Sequence, residues 1–358
     1  MTSPLRMGSL DRRRRRRIGL PEGRGRWVLG AFAVLAVLYV IGLLSDDGDT
    51  KHSTPITSGP VALTTTVVTT TTIAPPTAIA VTLTATRLPA PLSRTAATAD
   101  GATALVFGGR TNQKASVNQA LRYDPLTGVM TPAGTLNEVL HDAAAVTVMG
   151  KPVLVGGGDA KSTSTVHAII GGKVTVVGHL PEPRADLMVA AIGDTLFVVG
   201  GYDGAKEPTG ILASSDGGAT FRAIGALLNG NRYGMLVAVD KMLYLIGGEE
   251  NGAPVAKILR IDPVDGSIAQ IGTLPAPLSN ATAFVLEGGV FVAGGRLGAN
   301  ATDQILRIDL ATGAAAPIGT LPEPVANASV AVVGDAAYLF GGEASTAKAS
   351  VVAIRAVR

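Results

Sequence analysis

Leu274–Arg296 reads LPAPLSNATAFVLEGGVFVAGGR, and Leu321–Glu343 reads LPEPVANASVAVVGDAAYLFGGE. In both, an apolar run stops at a glycine pair some twenty residues after a leucine. The pairs recur along the C-terminal four-fifths of the chain at Gly108-Gly109, Gly156-Gly157, Gly200-Gly201, Gly247-Gly248, Gly294-Gly295 and Gly341-Gly342, at intervals of 48, 44, 47, 47 and 47 residues. The upstream leucine recurs as Leu88, Leu136, Leu180, Leu228, Leu274 and Leu321. Self-similarity at this period, with about four strands per unit, is the signature of a propeller blade. The fifth unit supplies them in order as NATAFVLEG, GVFVAGGR, DQILRIDL and AAPIGTL, each apolar by alternation or continuously and each ending in a turn.

The fold class expected is therefore all-β: a six-bladed propeller over residues 79–358. After Gly342 the chain supplies one more strand, SVVAIRAV, and ends where a fourth belongs. The segment IAVTLTATR before Leu88 aligns with SIAQIGT before Leu274, so residues 80–88 are expected to complete the last blade and close the ring. Closure removes an open sheet edge.

The glycine pairs make each unit similar to the kelch repeat, in which paired glycines end the second strand of a four-stranded blade. Tyr244 and Tyr338 keep the tyrosine of that repeat, and Phe221 stands in for its outer tryptophan; the sole tryptophan, Trp27, lies outside the repeats. The resemblance covers residues 80–358 and implies a kelch-like β-propeller. Kelch-type galactose oxidases build their copper radical site on a cysteine–tyrosine crosslink, which a chain with no cysteine excludes. The absence of cysteine also removes disulfides and thiolate metal sites, and the histidines show no metal-ligand spacing. No cofactor and no metal are expected.

The first fifth has a different composition. Residues 1–26 hold nine arginines against Asp11 and Glu22, a net of +7, so the chain's net +3 leaves −4 for the remainder. A mildly acidic body has no electrostatic footprint for nucleic acid. Residues 27–44, WVLGAFAVLAVLYVIGLL, are 18 uncharged residues and read as one N-terminal transmembrane helix; the alternative, a cleaved signal peptide, usually has a shorter apolar region and a small-residue cleavage site, which SDDGDT does not supply. The arginines place the N-terminus in the cytoplasm and the propeller outside. Residues 45–78, rich in Thr and Pro, read as a flexible linker. The expected location is a cell membrane, crossed once.

SSDGGATF, residues 214–221, matches the Asp-box of sialidases, which is a hairpin turn: Asp216 is expected to accept backbone hydrogen bonds and Gly218 to adopt an unusual backbone angle. Asp124, Asp262 and Asp309 are expected to do the same work in other blades.

Ligands of propellers bind where the loops between second and third strands, and between blades, emerge around the axis. Six residues beyond the recurring leucines lie Arg94, Asp142, Asp186, Gly234, Asn280 and Asn327. Just past the glycine pairs lie Arg110, Asp159, Tyr202, Glu249, Arg296 and Glu343. Two rings of mixed charge suit a polar ligand such as a sugar, and Arg184 and Arg232 complete the candidate ligand-binding set. No catalytic constellation stands out. The expected function is a membrane-tethered extracytoplasmic module that binds a protein or glycan of the cell envelope. The alternative is a carbohydrate-active enzyme of epimerase or mutarotase type working on the same face.

Overall fold

The computed structural model describes residues 75–357. The arginine tail, the expected span at 27–44 and all but the end of the linker lie outside the described residues. Six four-stranded antiparallel sheets follow one another along the chain. Blade 1 comprises Ala96–Asp100, Thr103–Phe107, Val117–Asp124 and Val129–Leu140. Blades 2 to 5 repeat the order, and their first strands are Ala144–Val148, Met188–Ile192, Met235–Val239 and Thr282–Leu286. In blade 6, Ser329–Val333, Ala336–Phe340 and Lys348–Val357 are joined by Ala78–Leu92, from the beginning of the described chain. The innermost strands touch their neighbours in turn and the sixth returns to the first, which closes a six-bladed propeller.

The closing strand pairs from Ala78 opposite Val357 to Leu92 opposite Lys348, with two irregularities in register. Its direction fixes the polarity of the molecule. Leu92 ends on the face that carries the glycine pairs, whereas Ala78 begins on the opposite face. Just before it, buried Pro76 packs over Gly289 in the turn region between the first two strands of blade 5.

Each blade is covered on both sides by neighbours, so its second strand is buried on both faces and reads as an unbroken apolar run rather than an alternation. Leu105, Phe107, Val198, Val199, Phe291 and Phe340 are all 1% exposed or less. The outer strands of blades 3, 4 and 5 hold no fully buried residue, and a register shift in each interrupts any alternation.

The glycine pairs join blades. The amide of the second glycine donates to a carbonyl of the segment entering the next blade: Gly109 to Leu140 (2.9 Å), Gly157 to Arg184 (2.8 Å), Gly201 to Asn231 (2.8 Å), and so on around to Gly342 and Leu92 (2.9 Å). Both glycines of each pair have positive φ. A Cβ on Gly108 would stand 2.5 Å from the same Leu140 oxygen, and at Gly156, Gly200 and Gly341 the equivalent contact is closer still. Only glycine combines that backbone conformation with that proximity.

The hairpin turns behave as their residues imply. Asp216 Oδ1 accepts from the Ser214 hydroxyl (2.7 Å) and the Thr220 amide (3.0 Å), and Gly218 sits at φ 95°. Hydrogen bonds from the Thr220 side chain and amide hold the Asp216 carboxyl down to about 2. Asp124, Asp262 and Asp309 each accept the amide two residues on, at 2.8–2.9 Å.

Candidate functional site: the axial mouth

A closed ring of six backbone hydrogen bonds surrounds the axis on the glycine-pair face. Arg94 N–H donates to Asn327 C=O (2.9 Å), Asp142 to Arg94 (3.1 Å), Asp186 to Asp142 (2.9 Å), Tyr233 to Asp186 (3.2 Å), Asn280 to Tyr233 (2.9 Å) and Asn327 to Asn280 (2.8 Å). All six residues are left-handed, with φ between 54° and 57°. That conformation turns each amide toward the preceding blade and each carbonyl toward the next, so one residue per blade completes the circle. It is unfavourable for residues with a Cβ by roughly 1–2 kcal/mol, with Asn and Asp the most tolerant. Arg94 and Tyr233 have no such tolerance.

Five of these residues were expected from their distance to the recurring leucine. In the fourth blade the expectation needs correcting: Leu227 is the buried leucine (5% exposed), Leu228 is 94% exposed, and the ring position is Tyr233 instead of Gly234. The connector ALLNGN has two adjacent leucines and lacks the proline that follows four of the other leucines.

The second expected ring is also built. Arg110, Gly158, Tyr202, Glu249, Arg296 and Glu343 each bridge to the residue preceding an axial position. In the second blade three consecutive glycines shift the count, so Gly158 holds the ring position and Asp159 follows it. Asp159 still faces the mouth, where its Oδ1 accepts from the Ser116 hydroxyl at 2.5 Å.

Side chains link the two rings. Arg94 Nη1 donates to Asp142 Oδ2 at 2.7 Å. Ser279 donates to Asn280 (2.9 Å), Asn280 to Asn327 (2.8 Å) and Asn327 to Glu343 Oε1 (2.8 Å), which also takes Arg296 at 2.9 Å. Burial alone would raise the Glu343 carboxyl, but hydrogen bonds from Ser93 and Asn327 and the charge of Arg94 hold it below the usual carboxylate range. The Arg232 guanidinium lies 5.3 Å from the Tyr202 ring centre and 5.1 Å from that of Tyr233, and its Nε is 3.4 Å from Glu207 and 3.5 Å from Glu249. Asp186 differs from the other carboxyls. Burial, then the charge of Asp142, pushes it up to about 8, so it carries a proton at neutral pH. Burial and the Asp186 charge likewise push the Tyr233 hydroxyl up to about 12.

The axial residues line a small central cavity of about 100 Å³. Arg94, Asp142, Asp186 and Tyr233 also form the floor of an adjoining pocket of about 410 Å³ over the first four blades, walled by Arg110, Lys161, Tyr202, Arg232 and His141. That volume lies within the range of small-molecule sites. His141, one of the histidines without metal-ligand spacing, is part of this wall. Its Nδ1 is 2.8 Å from Ser116 Oγ, and burial lowers its pKa, so the ring is neutral at neutral pH.

Arg184 does not reach the mouth. It is 1% exposed and inserted between blades, where Nη1 donates to the carbonyls of Gly200 and Gly210 (3.0 Å each) and Nη2 to Glu182 at 2.9 Å. The equivalent residues in four other blades are Leu92, Leu140, Leu278 and Val325, all buried. That pattern marks Arg184 as an interior clamp.

No family model and no curated protein matches the sequence. Among solved structures, that of YjhT is similar to this chain with a TM-score of 0.65 at 14% identity, covering 74% of this chain and 95% of the other. At that identity the likeness establishes the propeller fold alone.

Proposed function

We propose that the protein is a membrane-tethered binding module whose ligand, a protein or glycan of the cell envelope, enters the axial mouth. The N-terminus lies in the cytoplasm, residues 27–44 cross the membrane, and the linker carries an extracytoplasmic kelch-like propeller. The observation that carries the binding reading is the pairing of an open, polar pocket of about 410 Å³ with a face opposite to the one where the chain enters at Ala78. The closing strand therefore leaves the mouth uncovered. Arg94, Arg296 and Arg232 are already opposed by carboxylates at the mouth, an arrangement that preorganises a recognition surface.

A second reading, a carbohydrate-active enzyme of epimerase or mutarotase type, is favoured by one observation. Asp142 and Asp186 stand together in different environments, one paired with Arg94 and one holding a proton, a combination that suits acid–base chemistry. The test of both is a screen of envelope proteins and glycans against the full-length chain solubilised in detergent, beside a charge-reversed Arg110→Glu, Arg232→Glu variant. Capture that the variant loses, with the ligand recovered unchanged, supports the binding module. Recovery of a chemically altered glycan supports the enzyme. Capture that the variant retains places the ligand elsewhere and overturns the mouth as the site.

A further inference from the structure

The two carboxyls on the floor of the mouth pocket differ in what they have to offer. Asp142 is committed to Arg94 as an ion pair at 2.7 Å, and His141 Nε2 lies 3.6 Å from its carboxylate. Asp186 has a buried oxygen, Oδ1, with no hydrogen-bond partner among the described residues. The groups facing Asp186 are Asp142 and Arg94 from one side and Tyr233 from the other, with Arg232 stacked beyond Tyr233. A buried polar atom left unpaired costs about 1–3 kcal/mol. It is tolerated where something else completes it.

The ring itself does not need these side chains, because its six bonds run from amide to carbonyl. Glycine would close the same circle without the cost of a left-handed Cβ. Side chains kept in such a conformation point to a site that uses them. The charges around this floor are answered locally: Arg94 by Asp142, Arg232 by Glu207 and Glu249, Arg296 by Glu343. The floor compensated in this way offers directed donors and acceptors, while the cations uncompensated among the described residues, Arg110 and Lys161, stand on the walls of the pocket.

We propose that Asp186 and Asp142 recognise a neutral hydroxylated ligand, the ring of an uncharged sugar, with Asp186 donating a hydrogen bond to one ligand oxygen and Asp142 accepting one from a neighbouring hydroxyl. The proposal rests on the mouth being the binding site and goes further by naming the ligand's chemistry and the two residues that read it. Tyr233 and Arg94 hold the pair in place from either side. The raised Asp186 carboxyl supplies the donor below about pH 8, and its loss above that value replaces a hydrogen bond with a repulsive charge.

The test uses the full-length chain in detergent on an array of neutral oligosaccharides of glucose, galactose, mannose and N-acetylglucosamine, with matched uronic-acid and sulfated sets, at pH 6 and pH 9. A neutral glycan is expected to be retained at pH 6 and at least tenfold more weakly at pH 9. Asp186→Asn, which keeps a donor that does not titrate, should flatten that pH dependence, and Asp142→Asn should weaken binding about 10- to 100-fold. Thermal melts establish that each variant is folded, and if Asp186→Asn is not, the wild-type pH profile across the three sets decides alone. Retention confined to acidic glycans overturns the proposal, as does a pH dependence unchanged in Asp186→Asn. Capture of an envelope protein with no glycan retained overturns the sugar proposal and leaves the mouth standing as a protein-binding site.

Discussion

Two sets of six positive-φ residues meet on the same face of the propeller, and their compositions are opposite. The first position of every glycine pair is glycine because a Cβ there would run into the carbonyl of the segment entering the next blade. The axial ring repeats the left-handed conformation only a few ångströms away, yet holds Arg, Asp, Asp, Tyr, Asn and Asn. Each pair and each ring residue supplies one inter-blade amide bond, the pair through its second glycine. They differ in what lies beyond the Cα: packed backbone at the pairs, an open mouth at the ring. Where space forbids a side chain the architecture dictates the residue, and where space permits one, at a cost, the residue is free to serve a ligand.

The contrast can be broken most severely at the closure of the ring. Deleting Val351–Arg358 removes the partner of the closing strand and should unfold the propeller cooperatively. A truncated chain whose melting temperature matches the intact one would refute closure by Ala78–Leu92. Next in size is Gly200→Ala, which puts a methyl against the Asn231 carbonyl at positive φ. Strain and overpacking together predict a loss of about 2–5 kcal/mol, measured by chemical denaturation. A loss below about 1 kcal/mol would show that the pairs are not fixed by proximity.

Smaller effects separate the carboxyls. Asp186 is raised in the folded state, so the protein binds a proton there that the unfolded chain releases near its ordinary value of about 3.9. The stability linked to that proton is fully present below about pH 4 and is lost as pH rises through about 8. Asp186→Asn should therefore gain on the wild type between pH 6 and pH 9 in paired melts, and parallel curves would contradict the raised carboxyl. The smallest change is expected at the ring. Tyr233→Gly relieves about 1–2 kcal/mol of left-handed cost and gives back a similar amount in chain entropy and lost stacking with Arg232, so its stability should stay within about 1 kcal/mol of the wild type.

How much of this was legible in the sequence follows the same division. The blades could be read because a backbone collision enforces glycine at a fixed period, and the fifth unit's four strands lie where its alternation put them. The closing strand was readable from the missing fourth strand of the last blade. The ring was read only by counting, and counting failed where local chemistry changed: two adjacent leucines hid Tyr233, and three consecutive glycines displaced Asp159 by one. Arg184 misled because its charge drew attention to the mouth, although leucine or valine at its counterparts marked an interior position. His141 and the protonated state of Asp186 depend on burial by other blades, and no local pattern records that. The arginine tail and the apolar run at 27–44 were read by composition alone.

The most direct measurement is a pair of thermal melts on the full-length chain in detergent, Gly200→Ala beside Tyr233→Gly. For a domain of this size a kcal/mol corresponds to roughly 2–4 °C, so the glycine-pair variant should melt about 4–20 °C below the wild type and the ring variant within about 4 °C of it. Equal and large losses in both would make the ring as structural as the pairs and remove the physical ground for treating its side chains as a binding site.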